Sequence, residues 1–232
     1  MNPEDIAHIS AFEEKHWWYR ERQWLLRTFV KMYRVEGKAL DVGASAGYYS
    51  QTLEELGLDV LAIESEPVGV EICRSRGIQT LTGKAESLEV FDASQDLVIL
   101  MDVLEHIQND MLAISEVSRV LKVGGYLFLT VPVGMELWSE HDVQAKHFRR
   151  YEHSEIEEIL ILNNIEILSY RYWNVILRPV LILRRRYFQS NDIGLPSRPI
   201  NLILSAIIKM ERVFPVGRFR GVSLIVVGRK TL

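Results

Sequence analysis

Apolar residues along this chain fall into two patterns, short solid runs and longer stripes at helical spacing. Residues 4–33 read as one helix, with Trp17, Trp18, Trp24 and Phe29 set among charges. From there the two patterns alternate. KALDVG is a strand ending at Asp41, and YYSQTLEELG is a helix closed by Gly57. DVLAIES is a second strand ending at Glu64, followed by helix VGVEICRSRG, closed by Gly77. IQTLTG and DLVILMD are the third and fourth strands. DMLAISEVSRVL, residues 110–121, is an amphipathic helix, and Gly124-Gly125 turns into a fifth strand, YLFLTVP. After a loop over 132–152 come helix SEIEEILILNN, a sixth strand, IEILSYRYW, and a seventh, GVSLIVVGRK. The strands are continuous apolar runs, as a parallel sheet covered on both faces requires. Their alternation with helices predicts a doubly wound, Rossmann-like α/β sheet. Residues 1–35 precede the first strand as a helical lid. Residues 36–232 form the sheet domain, interrupted over 174–221 by a helical insert between strands six and seven.

Composition sharpens this in three places. The 232 residues are 48% hydrophobic and 25% charged, ordinary for a globular protein with a sizeable core. A single cysteine, Cys73, rules out an internal disulfide and a cysteine-based zinc site, and its helical setting reads as a buried bystander. Charge is unevenly spread. Residues 1–170 carry 15 Lys+Arg against 29 Asp+Glu, whereas residues 171–232 carry 12 against 2. MNPEDIAHIS has no basic-then-apolar leader pattern, and no uncharged apolar run reaches the roughly 18–20 residues that span a bilayer. A cytoplasmic location is expected, with the membrane surface as a second possibility through the insert.

The loop Gly43-Ala44-Ser45-Ala46-Gly47 admits two readings. It fits the G-x-S-x-G spelling of a nucleophile elbow, with Ser45 as the nucleophile of a serine hydrolase. It also fits a nucleotide-binding loop at the carboxyl end of the first strand, where backbone N–H groups meet a ligand at a helix N-terminus. The second reading gains from Glu64, which ends the second strand 21 residues after Gly43 and suits a ribose diol. The first lacks an earlier strand and an HGGG-type oxyanion sequence. A structural loop serine is the plain alternative to both.

Four segments taken in order resemble class I S-adenosylmethionine-dependent methyltransferases: LDVGASAG, LAIESE, FDASQDLVILMDVLEHI and EVSRVLKVGGYLFLTVP. The resemblance covers about residues 36–172 and 222–230. HWWYRER at 16–22 and HDVQAKHFRRY at 141–151 resemble a subgroup acting on small molecules and on lipid- or sugar-linked acceptors. The resemblance implies a seven-stranded sheet with an antiparallel last strand, S-adenosyl-L-methionine as cofactor, and methyl transfer to oxygen of a small-molecule acceptor. It implies that Asp41, Gly43, Ala44 and Gly47 frame the methionine end of the cofactor and that Glu64 holds the ribose. Lys84 stands where the family often has an acid for the adenine amino group, leaving Ala85 or Glu86 for that contact. Met101 and Asp102 lie beside the cofactor. Ser45 replaces a middle glycine, which its small side chain makes tolerable if its φ stays negative. A non-catalytic relative that binds cofactor without transfer is the remaining alternative.

Methyl transfer is an in-line displacement that needs alignment above all. An alcohol or phenol acceptor also needs a base. The candidates are His106, His141, His147 and Tyr151. Asp102, Glu105 and His106, at i, i+3 and i+4, are expected to share one helix face. That face reads as a base with its orienting acid, as a divalent-metal site of the kind suggested for ubiquinone-type O-methyltransferases, or as a helix-start hydrogen-bond network. No metal ligand is assigned. In the insert, VILRPVLILRRRYF and PINLILSAIIKMERVF combine apolar and basic residues. They suit an anionic lipid surface or lipid-linked substrate, or a packed helical pair such as a homodimer face. Nucleic acid is not expected, because the acidic body repels a polyanion.

Overall fold

The computed structural model describes residues 3–187 and 194–232. The elements are α1 (Pro3–Ser10), α2 (Trp17–Tyr33), β1 (Lys38–Val42), α3 (Tyr48–Glu55), β2 (Asp59–Glu64), α4 (Pro67–Ser75), β3 (Thr80–Thr82) and β4 (Gln95–Met101). They continue with α5 (Asp110–Val120), β5 (Leu121–Pro132), α6 (Glu140–Gln144), α7 (His153–Leu162), β6 (Ile165–Trp173), α8 (Arg178–Tyr187), α9 (Arg198–Met210) and β7 (Ser223–Lys230). The seven strands make one sheet in the order β3-β2-β1-β4-β5-β7-β6. The first five pair in parallel, and β7 runs antiparallel to both β5 and β6.

The solid apolar runs follow from burial on both faces. In β4, Val98 and Leu100 point into a core with α5 and α7, while Leu97 and Ile99 point into a second core under α2 and α9. Alternate side chains leave a strand on opposite sides, so a strand buried twice has no polar positions to spare. No helix among the described residues is long and apolar enough to cross a membrane.

Three local expectations need correction. The helix expected over 4–33 is two helices. Between them Phe12 and Glu13 turn inward, Glu13 pairs with Arg76 at 2.6 Å, and His16 caps α2 by accepting from the Trp18 N–H at 3.2 Å. The fifth strand starts at Leu121 rather than Tyr126, with an irregular register against β4 around Gly124 and Gly125. Asp102, Glu105 and His106 do not share a helix face. Only Leu104–His106 form a single 3₁₀ turn, and Asp102 stands before it with φ 60°.

The N-terminal segment and the insert pack on each other. Asn201 of α9 accepts from the Trp17 N–H at 3.0 Å and donates to the Lys15 carbonyl at 2.9 Å. Arg212 pairs with Glu21 and stacks over Trp24, 3.8 Å from the ring centre. Of the insert expected at 174–221, residues 188–193 lie outside the described residues.

Candidate functional site

The chain leaves β1 toward β2 and β3 on one side and returns to β4 and β5 on the other. That reversal opens a crevice at the carboxyl ends of β1 and β4, where doubly wound sheets bind ligands. The glycine loop spans it. Gly43 and Gly47 have φ of 74° and 81°, and a Cβ on Gly43 would sit 2.7 Å from a methyl of Val103. Ser45 does not meet the condition of a negative φ: its φ is +54°, in the left-handed region. Such a backbone costs a non-glycine residue roughly 1–2 kcal/mol. Glu64 offsets it, accepting from the Ser45 N–H at 2.6 Å with one oxygen and from the Glu66 N–H at 2.8 Å with the other. Glu64 therefore ties the loop after β1 to the loop after β2. Behind the loop Asp41 is buried and accepts from the Ser50 hydroxyl at 2.6 Å, and burial pushes its carboxyl up to about 7. Cys73 is buried below the loop, 3.4 Å from the Ser45 carbonyl, and burial raises its thiol to about 12.

Beside the loop is a cavity of about 340 Å³. Gly43, Ala85, Glu86 and His106 line it, together with Lys84 and Ser65. Lys146 and Phe148 reach it from the loop after β5, a contribution not visible in the local sequence. The Phe148 N–H donates to the Glu105 carbonyl at 2.7 Å and pins that loop against the turn after β4.

At the end of β4, Met101 is buried against β5 and the Asp102 N–H donates to Thr130. The Asp102 carboxylate pairs with Arg22 at 2.9 Å. Arg22 was not among the expected site residues. It is fully buried between the Trp18 and Trp173 rings, 5.2 and 4.6 Å from their centres, and also donates to Ser223 at 3.0 Å. Its Nε and Nη1 are buried without partners. The second arginine of HWWYRER, four residues after Trp18, was its signal.

The histidines converge from two segments. His106 and His147 rings stand 4.6 Å apart, and His141 is 6.3 Å from His147. His147 Nδ1 is 2.9 Å from Asp142, which leaves Nε2 turned away from the carboxylate. Asp142 is fully buried. Burial alone would raise its pKa, but hydrogen bonds from His147 and Arg150 and the charge of Arg185 hold it well below the usual carboxylate range. Burial first, and then the neighbouring His147, push His106 down to about 3. Glu105, His106 and His147 each bring one donor atom within 4.8 Å of the others, a set able to hold a divalent cation, and Glu105 Oε2 and His106 Nδ1 are buried without hydrogen-bond partners. Tyr151 does not join them. It is 1% exposed in the main core, and its hydroxyl donates to Asp110 at 2.8 Å, so it serves packing rather than an acceptor.

A mostly parallel sheet with a glycine loop at its switch point, an acid ending β2 and a lined cavity beside them has the arrangement of an α/β ligand-binding fold. Residues 40–129 match the Methyltransferase domain family. A ubiquinone biosynthesis O-methyltransferase of Xanthomonas oryzae is 34% identical over 100 residues, 40% of this chain and 42% of that protein. The match thus spans under half the length of that relative. A probable S-adenosylmethionine-dependent methyltransferase of Mycolicibacterium smegmatis is 24% identical over 68% of this chain and 63% of its own. Among solved structures, a SAM-dependent methyltransferase from Archaeoglobus fulgidus superposes with TM-score 0.63 at 13% identity, covering 91% of this chain and 94% of that one. The [4+2]-cyclase SpnF does so with TM-score 0.63 at 20% identity, covering 93% and 83%. Residues 40–129 thus resemble a methyltransferase domain, and the fold is the one that solved S-adenosylmethionine-dependent methyltransferases share.

Proposed function

We propose that this protein transfers the methyl group of S-adenosylmethionine to a hydroxyl oxygen of a small-molecule acceptor, a sugar, a quinone-type phenol or a lipid-linked intermediate. One observation carries the reading: the cavity beside the glycine loop opens onto His106, and His106 packs against His147, whose tautomer Asp142 sets. The cavity suits the cofactor in place, because it lies against the glycine loop at the carboxyl ends of the strands, with Gly43, Ala85 and Glu86 in its lining. Gly43, Ala44, Gly47 and Asp41 frame its methionine end, Glu64 its ribose, and Ala85 and Glu86 its adenine. Met101 and Asp102 flank the reacting end, with Arg22 holding Asp102 in place. The bound cofactor supplies an electrophilic methyl group. His147 takes the acceptor's hydroxyl proton on Nε2, Asp142 steadies the resulting imidazolium, and the loop bearing Phe148 keeps water out. His141 lines the acceptor's approach. The helices before β1 close over the cofactor as a lid.

Calorimetric titration with S-adenosylmethionine, S-adenosylhomocysteine and, as control, NAD tests the reading first. Binding of both adenosyl ligands and not NAD is expected; a folded protein that binds neither overturns it. The hydrolase alternative draws no support from Ser45, which has no histidine among its hydrogen-bond partners in the described residues. A second reading has the scaffold bind the cofactor without transferring its methyl, and it draws on the likeness of this fold to a [4+2]-cyclase. Methyl-labelled cofactor that binds but labels no acceptor in a phenol, sugar and lipid panel would favour it.

A further inference from the structure

Among the described residues of 174–221, only a minority of the apolar side chains are buried. At 100° per residue, Leu202, Ile203, Ala206 and Met210 of α9 fall on one arc, opposite Leu204 and Ile208. Ile208 is buried against α2, whereas Leu202 and Ile203 are 69% and 59% exposed. In α8, Val180 and Leu183 face solvent in the same way, and Val213 beyond α9 is 80% exposed. A contiguous helical arc of this kind is a binding surface rather than scattered surface leucines.

The charge around these arcs is of one sign. Arg198 and Lys209 flank the α9 arc, and neither forms an ion pair among the described residues. The segment has two acids in sequence. Asp192 lies outside the described residues, and Glu211 is 2% exposed, its carboxylate accepting from the Asn174 and Ile176 N–H groups at 2.9 and 2.7 Å. Among the described residues, the segment thus pairs exposed aliphatics with cations and carries no accessible carboxylate of its own. A symmetric contact between two copies would set Arg198 and Lys209 against their own likeness. A folded protein partner would have to meet the aliphatics and the cations together. An anionic bilayer meets both at once, the acyl boundary taking the aliphatics and the headgroups the cations.

We infer that the outer face of α8 and α9 docks on an anionic lipid surface. The contact is peripheral. It lies next to the site loop, because Arg178 pairs with Glu136 and Arg185 donates to the Leu137 carbonyl, both in the segment leading to His141. Surface binding stands apart from the methyl-transfer reading, because its readout is partition and not turnover.

The test is co-sedimentation of the full chain with phosphatidylcholine vesicles, with and without phosphatidylglycerol, at low and physiological salt. Binding is expected only with the anionic lipid, weakening as salt shortens the screening length to about 8 Å. Arg198→Gln and Lys209→Gln should each weaken it about fivefold. Leu202→Glu with Ile203→Glu should abolish it while leaving the circular dichroism spectrum and cofactor affinity unchanged, both side chains being outside the core. Failure of the wild-type chain to sediment with anionic vesicles at low salt would overturn the inference. So would equal binding to neutral vesicles, or a wild-type dimer in solution that Leu202→Glu splits.

Discussion

Asp142 and His147 meet at 2.9 Å, Oδ1 to Nδ1, and the same carboxylate oxygen accepts from Arg150 at 2.8 Å. A buried carboxylate so held fixes the ring that faces His106. In the proposed reaction, His147→Ala lowers kcat by about 10²–10⁴, the range of a lost general base, and leaves cofactor affinity unchanged. Asp142→Asn does more, because Arg150 is 4% exposed and loses its counter-charge. Breaking such a pair costs about 3–5 kcal/mol, to be read from urea unfolding. An Asp142→Asn protein of wild-type stability and activity would remove this arrangement from the mechanism.

Glu64 makes a different prediction. Its carboxylate holds the Ser45 and Glu66 N–H groups, and a charged hydrogen bond is worth about 1.5–3 kcal/mol. Glu64→Ala should therefore lose measurable S-adenosylmethionine binding and loosen the loop. Calorimetry separates two outcomes. Unchanged affinity with lowered stability means that Glu64 braces the loop and does not hold the ribose.

Asp41 gives a pH dependence. Its folded pKa is about 7 against an ordinary 3.8, with burial as the main cause. Between those values the folded state holds a proton that the unfolded chain has released, so stability falls as pH rises from about 4 to about 7 and is flat above. Asp41→Asn removes that slope. The variant should gain on the wild type across this interval, by up to about 4 kcal/mol at pH 8. Parallel stability curves for the two proteins would show that Asp41 is ionised at no such cost.

Arg22 is the fourth case. Arg22→Met keeps the tryptophan packing but strands Asp102, and should cost about 2 kcal/mol, less than a fully buried pair because Asp102 is partly solvated. Arg22→Lys should not restore it. An ammonium lacks the flat guanidinium face that lies between two indoles while one of its nitrogens, Nη2, reaches both Asp102 and Ser223. Thermal and denaturant unfolding of the two variants checks this, and rescue by lysine would reduce Arg22 to a point charge.

Much of the sheet was legible because a strand buried on both faces, such as Leu97–Leu100, leaves a solid apolar run. The first loop was legible because Gly43 and Gly47 need positive φ. What escaped depended on distant partners. Arg22 meets Asp102 across 80 positions, and Lys146 and Phe148 reach the cavity only because the Phe148 N–H finds the Glu105 carbonyl. Tyr151 looked like a site residue because it ends the HDVQAKHFRRY loop after the fifth strand, yet Asp110 draws its hydroxyl into the core. Ser45 shows a local rule yielding to a tertiary one, a left-handed serine held there by Glu64.

β7 lies between β5 and β6 although it follows both in the chain, and its first residue, Ser223, is a ligand of Arg22. As the polypeptide emerges, β5 therefore waits with an open edge while the α8–α9 excursion is made, and an open edge invites wrong pairing. The residues that match the methyltransferase family are all synthesised by then. Their last neighbour is not, so a nascent chain halted before residue 223 carries the family's signature without a finished sheet to hold it.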